Sequence, residues 1–316
     1  MSSTASSKTV TVSEKEGKKL FYMALPFIAL VFVFSYLPLY GWMYAFFDYK
    51  LGHKLFDSEF KGFFFFKMIL SDPITVDEVK RIMSNTLGIS FLSLLVQVLP
   101  LIFALFLVEM KFEPLKKAIQ TLTTLPNFLS WPLVYAFAFS MFSESDGFIN
   151  KLLIQLHIIE DPISFLVSSS HVWLTQTAYL AWKTIGWTAI IYIAAVTSID
   201  NELYEAARID GAGRFRIMWS ITVPHLMPTF FVLMMLSIAN FLNNGLDQYL
   251  VFQNALNTDS IEVLDLYVYN VGIRNGMSGY NYSFATAVGI LKSVVSIALL
   301  FSVNFASKKV RGEGII

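Results

Sequence analysis

Five polar side chains recur in register near the end of an apolar run: Asn240, Asn243, Asn244, Asp247 and Gln248, at i, i+3, i+4, i+7 and i+8. On a helix this spacing puts all five on one face. Carboxamides and a carboxylate suit a hydroxyl-rich ligand, because each hydroxyl both donates and accepts. A polar stripe on a membrane helix must face other helices or a watery cavity. Two roles therefore fit the stripe: ligand contact, or glue between helices. Lys183 stands inside another apolar run, between Trp182 and Trp187. A buried ammonium needs a partner or water. An acceptor on a neighbouring chain, a ligand, or snorkelling to an interface would each supply one. Lys292 poses the same choice. Trp131, Trp182 and Trp187 offer flat faces that can stack on sugar rings, or serve as packing and interface anchors.

A second constellation lies in "EAARIDGAGRFRIMWSITVPH", residues 205–225. Asp200 is placed to cap a helix by accepting from free backbone N–H groups. Glu202 and Glu205 near the first turn favour the positive end of its dipole. The spacing predicts a short helix over 201–209. Ala206 and Ala207 keep one face low, so another surface can approach. Gly211 and Gly213 permit a sharp turn. A second helix is predicted over 214–221, with Phe215, Met218 and Ile221 buried on one side. Pro224 and Pro228 mark the start of the next apolar run. Glu205, Ala206, Ala207, Asp210 and Gly211 are the candidate contact residues. An interfacial helix that only joins two spans fits the residues as well as a docking knob does.

Other chemistry finds no support. The four histidines, His53, His157, His171 and His225, are scattered, and no pair has ligand spacing. There is no cysteine, hence no disulfide or thiolate site. No Ser-His-Asp or paired-carboxylate arrangement stands out on any one helix. No G-x-x-x-x-G-K-[ST] phosphate loop occurs. The formal net charge is zero, so bulk charge gives no reason to expect a nucleic-acid partner.

The elements that must position these residues follow from hydrophobicity. Of 316 residues, 55% are hydrophobic and only 15% charged, against about 25% charged in a soluble domain. The fold class is all-α, a bundle whose solvent is lipid. A spanning helix needs about 20 mostly apolar residues, and six segments qualify: about 20–47, 83–108, 122–142, 172–197, 226–246 and 284–306. The first is too long for a signal peptide and lacks an obvious cleavage site. Residues 1–19 read as a disordered tail and 307–316 as a short C-terminal tail. In the outer segments, 148–158 has helical apolar spacing and 261–273 looks ordered. With the N-terminus inside, the short inner segments hold 13 Lys and Arg and the longer outer ones 8. The positive-inside rule then puts both termini and the 200–222 insert in the cytoplasm.

Glu205-Ala206-Ala207, then Gly211, Ile221 and Pro224, resemble the EAA motif of ABC importer permeases; Val223 stands where leucine is usual. The wider stretch "ELYEAARIDGAGRF" (202–215) resembles the carbohydrate branch, relatives of maltose and multiple-sugar permeases. "VLDLYVYNVGI" followed by "YSFATAVGILKSVV" resembles the LplB-like oligosaccharide permeases. The resemblance covers most of the chain from the second span onward. It implies a type I importer permease fold that is not itself catalytic, with the insert as a coupling helix. Glu205 would pair with cationic or N–H groups of an ATP-binding subunit, Ala206 and Ala207 would allow close contact, and Gly211 would form the turn. The implied partners are a second, related permease in a heterodimer, a dimer of ATP-binding subunits that holds ATP and Mg, and an extracellular solute-binding lipoprotein. The implied cargo is an oligosaccharide and the implied setting a bacterial cell membrane. The competing expectation is an ion-coupled secondary sugar transporter. That class tends to place carboxylates near the midplane, and the predicted span centres contain no Asp or Glu.

Overall fold

Long apolar runs can satisfy their backbone in lipid only as helices or closed barrels. The computed structural model, which describes residues 14–50, 52–274 and 281–311, resolves this chain in favour of helices. Among the described residues there is one isolated antiparallel bridge, Phe47–Phe60, and no strand. α1 (Glu14–Val31) continues through a π turn and 3-10 turns to Phe46. Its start at Glu14 puts part of the expected tail in a helix; residues 1–13 lie outside the described residues. No residue in the most apolar window of Gly17–Phe46 is buried, so this span stands at the edge of the bundle.

After α2 (Phe64–Ser71), the second span comprises α3 (Pro73–Val96) and α4 (Val98–Glu109). It begins well before the expected 83 because Asp72 caps it. The Asp72 carboxylate accepts from the Thr75 N–H at 2.9 Å and the Thr75 hydroxyl at 2.6 Å. Those two bonds hold its pKa below the usual carboxylate value, and Pro73 at the first position has no N–H to satisfy. The step between α3 and α4 at Gln97 follows from Pro100, whose ring clashes with the carbonyl four residues earlier. The third span is not one helix. α5 (Glu113–Thr124), a 3-10 turn over Leu125–Phe128 and α6 (Trp131–Phe142) form an elbow, with the two arms bent by 111°. Pro126 and Pro132 sit at the starts of the turn and of α6. α7 (Phe148–Gln155) occupies the outer segment with predicted helical spacing. Asn150 on α7 is 2% exposed. Its amide donates to the carbonyls of Ser143 and Ile163 and accepts from the Ile163 N–H, at 2.9–3.0 Å.

α8 (Val172–Thr197) has the bounds predicted for the fourth span, and α3, α4, α5 and a later helix all pack on it. The insert follows as α9 (Asn201–Ile209), α10 (Arg214–Ile217) and a π turn over Met218–Thr222. Ile217 and Thr222 are the buried residues here, while Phe215, predicted to be buried, is 76% exposed. α11 (Val223–Ala239) completes the fifth span, which runs from Arg214 to Ala239 rather than over 226–246.

The helix ends after Ala239. The Asn240 N–H makes the last i→i−4 bond, to the Leu236 carbonyl (3.1 Å), which also accepts from the Asn240 side-chain amide (2.9 Å), and the Phe241 N–H tightens to the Ile238 carbonyl. Gly245 at φ +85° completes the turn, and α12 (Asp247–Phe252) starts a new axis. The five-residue polar stripe is therefore not one helical face. α13 (Thr258–Ile261) and α14 (Leu264–Tyr269) give 261–273 its order. They are pinned to α3: Arg81 pairs with buried Glu262 at 2.9 Å, and Thr86 accepts from the Leu264 N–H at 2.9 Å. α15 (Asn281–Arg311) is the sixth span and carries the helix into the expected C-terminal tail; residues 312–316 lie outside the described residues.

Near the insert the core joins Leu101, Ala104 and Leu105 of α4, Ala189, Tyr192 and Val196 of α8, and Leu226 of α11. Asn150→Ala should destabilise the purified protein by about 1–3 kcal/mol, because it leaves buried backbone groups unpaired. Thermal unfolding in detergent checks this, and an unchanged midpoint would show that Asn150 is not a structural pin.

Candidate functional sites at the insert and in the interhelical cavity

The insert is a small helix with both ends sealed. At its start the Asp200 carboxylate accepts from the Glu202 N–H at 3.0 Å. At its end the N–H of Asp210 bonds the Ala206 carbonyl (3.0 Å) and that of Ala212 the Ala207 carbonyl (2.9 Å). Gly211 at φ +76° supplies the left-handed residue that such a C-terminal cap requires. The Tyr204 hydroxyl lies 3.1 Å from the Thr222 hydroxyl and ties α9 to the π turn. Glu205, Ala206 and Asp210 are exposed and Ala207 is half-buried. A recess of about 710 Å³ separates α9 from the end of α4, lined among others by Glu109, Lys111, Glu205, Arg208 and Arg214. The insert also exposes apolar side chains: Ile209 is 86% exposed, and Phe215 and Trp219 are exposed as well. Single exposed apolar side chains are ordinary, but three within eleven residues of a short, charged insert fit a docking surface.

The second site is a cavity of about 360 Å³ between α3, α8 and the end of α11. Asn240, Asn243 and Asn244 of the stripe line it. Asn244 donates to the Ser90 hydroxyl at 2.8 Å, and Ser90 donates to the Phe241 carbonyl. Asn243 donates to the Asn240 side-chain oxygen at 3.3 Å. Gln97, at the α3–α4 step, donates to the Ser237 hydroxyl. α8 contributes Thr177, Leu180, Ala181, Thr184 and Thr188, one helical face by spacing. Among the described residues the polar lining is made of amides and hydroxyls, with no Asp, Glu, Lys, Arg or His side chain.

Other predicted members lie elsewhere. Gln248 is 2% exposed and donates to the Gln176 carbonyl (2.8 Å) and side-chain oxygen (2.9 Å), so it is glue between α12 and α8. Asp247 is exposed at the start of α12 and does not line the cavity. Trp182 stacks on Phe137 at 5.7 Å and Trp187 meets Phe128 edge-on at 5.7 Å; neither lines the cavity. Lys183 faces the elbow of the third span and donates to the carbonyls of Pro126 (3.1 Å), Asn127 (2.9 Å) and Leu129. Its ammonium is thus occupied by backbone of its own chain and is neither snorkelling nor open to a ligand. Lys292 pairs with Asp265, whose other oxygen accepts from the Gly245 N–H at 3.1 Å and so fixes the 240–246 turn. Sequence reasoning missed Ser90, Gln97, Thr184 and Ser237. A signal existed for Gln97, a lone carboxamide three residues before Pro100 in an apolar run.

The sequence family described as "Binding-protein-dependent transport system inner membrane component" matches residues 20–312. Protein LplB of Bacillus subtilis (strain 168) is 39% identical over 302 residues, 95% of this chain and 92% of LplB. The polygalacturonan/rhamnogalacturonan transport system permease protein YteP of the same organism is 33% identical, over 98% of this chain and 93% of YteP. In the crystal structure of a bacterial alginate ABC transporter in complex with its alginate pentasaccharide-bound periplasmic protein, one chain superposes with a TM-score of 0.82. It is 29% identical, over 95% of this chain and 98% of that one.

Gln248→Ala should lower stability by about 1–3 kcal/mol, since it strands buried polar groups on α8. Exposed Asn243→Ala should stay within about 0.5 kcal/mol of the parent. Paired thermal melts separate the two; equal losses would mean that the stripe is structural throughout.

Proposed function

We infer, from the premise that this chain belongs to the family of inner membrane components of binding-protein-dependent transport systems, that it forms half of the pathway of an ATP-driven oligosaccharide importer. Its helical fold is that of a type I ABC importer permease. The single observation that carries the coupling role is the capped, exposed α9 knob at the end of α8. α8 runs unbroken from the cavity to the insert, about 20 Å from Thr184 to Thr197 at 1.5 Å per residue. A push on α9 is therefore delivered to the wall of the cavity without a flexible joint inside the span.

The partner of the knob is an ATP-binding subunit. Glu205 offers it an anionic contact, Ala206 and Ala207 a close approach, Asp210 a second carboxylate, and Ile209 with Phe215 an apolar seat. ATP and Mg are held by that subunit, and this chain supplies no hydrolytic group. One knob per permease and two ATPase subunits require a second permease, here a related chain in a heterodimer. An extracellular solute-binding lipoprotein delivers the cargo. The oligosaccharide reading rests on two supports: the names of the relatives, and a cavity whose polar lining is all amide and hydroxyl. Asn240, Asn243 and Asn244 are its candidate cargo contacts. The setting is the bacterial cytoplasmic membrane, with both termini and the insert on the cytoplasmic side, as the Lys and Arg distribution supports. The ion-coupled alternative gains nothing: among the described residues no carboxylate lines the cavity.

Glu205→Lys should cut uptake by at least ten-fold and weaken retention of the ATPase subunits on purification, with the protein still in the membrane. Normal uptake by that variant would remove the coupling role. Asn243→Ala should reduce uptake several-fold without loss of assembly, measured on the reconstituted complex with its binding protein; unchanged uptake would take Asn243 out of the pathway.

A further inference from the structure

A lysine 9% exposed in the middle of a membrane helix has no role in the coupling knob or in the cavity lining. Its surroundings are specific. Lys183 has three N–H donors, and three carbonyls of one short segment, those of Pro126, Asn127 and Leu129, accept from it. These carbonyls belong to the elbow, where the α-helical ladder is broken between α5 and α6. The Trp131 ring at the start of α6 lies 5.5 Å from the ammonium and adds a cation–π contact. One turn further along the same face of α8, Gly186 lets the backbone of Thr123 approach so closely that a Cβ there would lie 2.2 Å from the Thr123 carbonyl oxygen. Phe128 and Trp187 close the contact edge to face. The elbow is thus fastened to α8 by charge, by backbone proximity and by ring packing within a few residues.

We propose that Lys183 is a positioning residue that locks the elbow of the third span onto α8, so that the two travel as one body when the insert is driven. The proposal rests on the coupling reading of α9. An unlocked elbow would leave α6 behind when α8 moves, and the stroke would reach only part of the bundle. Lipid offers these carbonyls no donor; the Pro126 carbonyl accepts from the Leu129 N–H at 3.1 Å within the elbow, and the lysine adds the charged tie that runs from the elbow to α8.

The chain has no cysteine, so a Phe128→Cys, Trp187→Cys pair can be joined by a short reducible bis-thiosulfonate, and the intrachain crosslink read by gel mobility. In the full reconstituted complex with ATPase subunits and binding protein, the crosslinked pair should retain uptake within two-fold of the uncrosslinked pair. Lys183→Met should lower cargo moved per ATP hydrolysed at least ten-fold, and the same crosslink placed in Lys183→Met should restore it. Uptake that falls more than ten-fold on crosslinking and returns on reduction would overturn the proposal, because the elbow and α8 would then have to slide past each other. A parent ratio of transport to hydrolysis in Lys183→Met would overturn it too. If Lys183→Met does not assemble, the crosslink alone decides. Failure of the coupling reading is distinguishable: it appears as normal uptake in Glu205→Lys and leaves the crosslink result as it stands.

Discussion

Lipid donates no hydrogen bonds, so wherever a helix of this protein stops inside the bundle the freed backbone has to be satisfied within the protein or by water in a cavity. Three such breaks organise the molecule. At the α3–α4 step the Gln97 N–H turns back to the Leu94 and Leu95 carbonyls, and its side chain reaches across to Ser237. At the elbow of the third span Lys183 meets three carbonyls. At the end of the fifth span Asn240 folds back on Leu236, while Asp265 holds the following turn through Gly245 and Lys292. Two of the three breaks line the polar cavity. A pathway for hydroxyl-rich cargo and the repair of interrupted helices thus draw on the same residues.

α8 gives these breaks a common reference. It is 26 residues long without interruption, carries one wall of the cavity through Thr177, Thr184 and Thr188, and leads after three residues into α9. Its position at the centre of the contacts with α3, α4, α5 and α11 means that motion at its end is felt by most of the bundle. The insert is built to withstand force: a carboxylate cap at one end, a left-handed glycine at the other and a hydroxyl tie to the π turn leave α9 few ways to deform.

Much of this was legible in the sequence where one strong signal dominated. The bounds of α8 and α9 follow from an unbroken apolar run and from an aspartate placed before a charged, alanine-containing stretch. The Asn-Asn-Gly of residues 243–245 was the overlooked signal. Periodicity alone carried the stripe through to Gln248, whereas a glycine able to reach φ +85° ends the helix and separates cavity-lining Asn243 from Gln248, which glues α12 to α8. The elbow was half legible, since Pro126 and Pro132 announce a break but not its angle. The fate of Lys183 was not legible at all. Three backbone carbonyls leave no trace in a sequence, so a lysine amid tryptophans reads equally as a ligand contact. The exposure of Phe215 was not legible either: hydrophobic spacing marks an apolar position without showing which face of the short α10 packs on the bundle.

The account stands or falls on where the α9 knob sits in the working complex. A photoactivatable residue in place of Ala206, on the exposed low face of α9, can be irradiated in membranes that contain the assembled transporter, and its adducts identified by mass. The account requires adducts with an ATP-hydrolysing subunit, with a yield that changes when a non-hydrolysable nucleotide is added. Adducts with the extracellular solute-binding protein, or with lipid alone in a complex that transports normally, would contradict it.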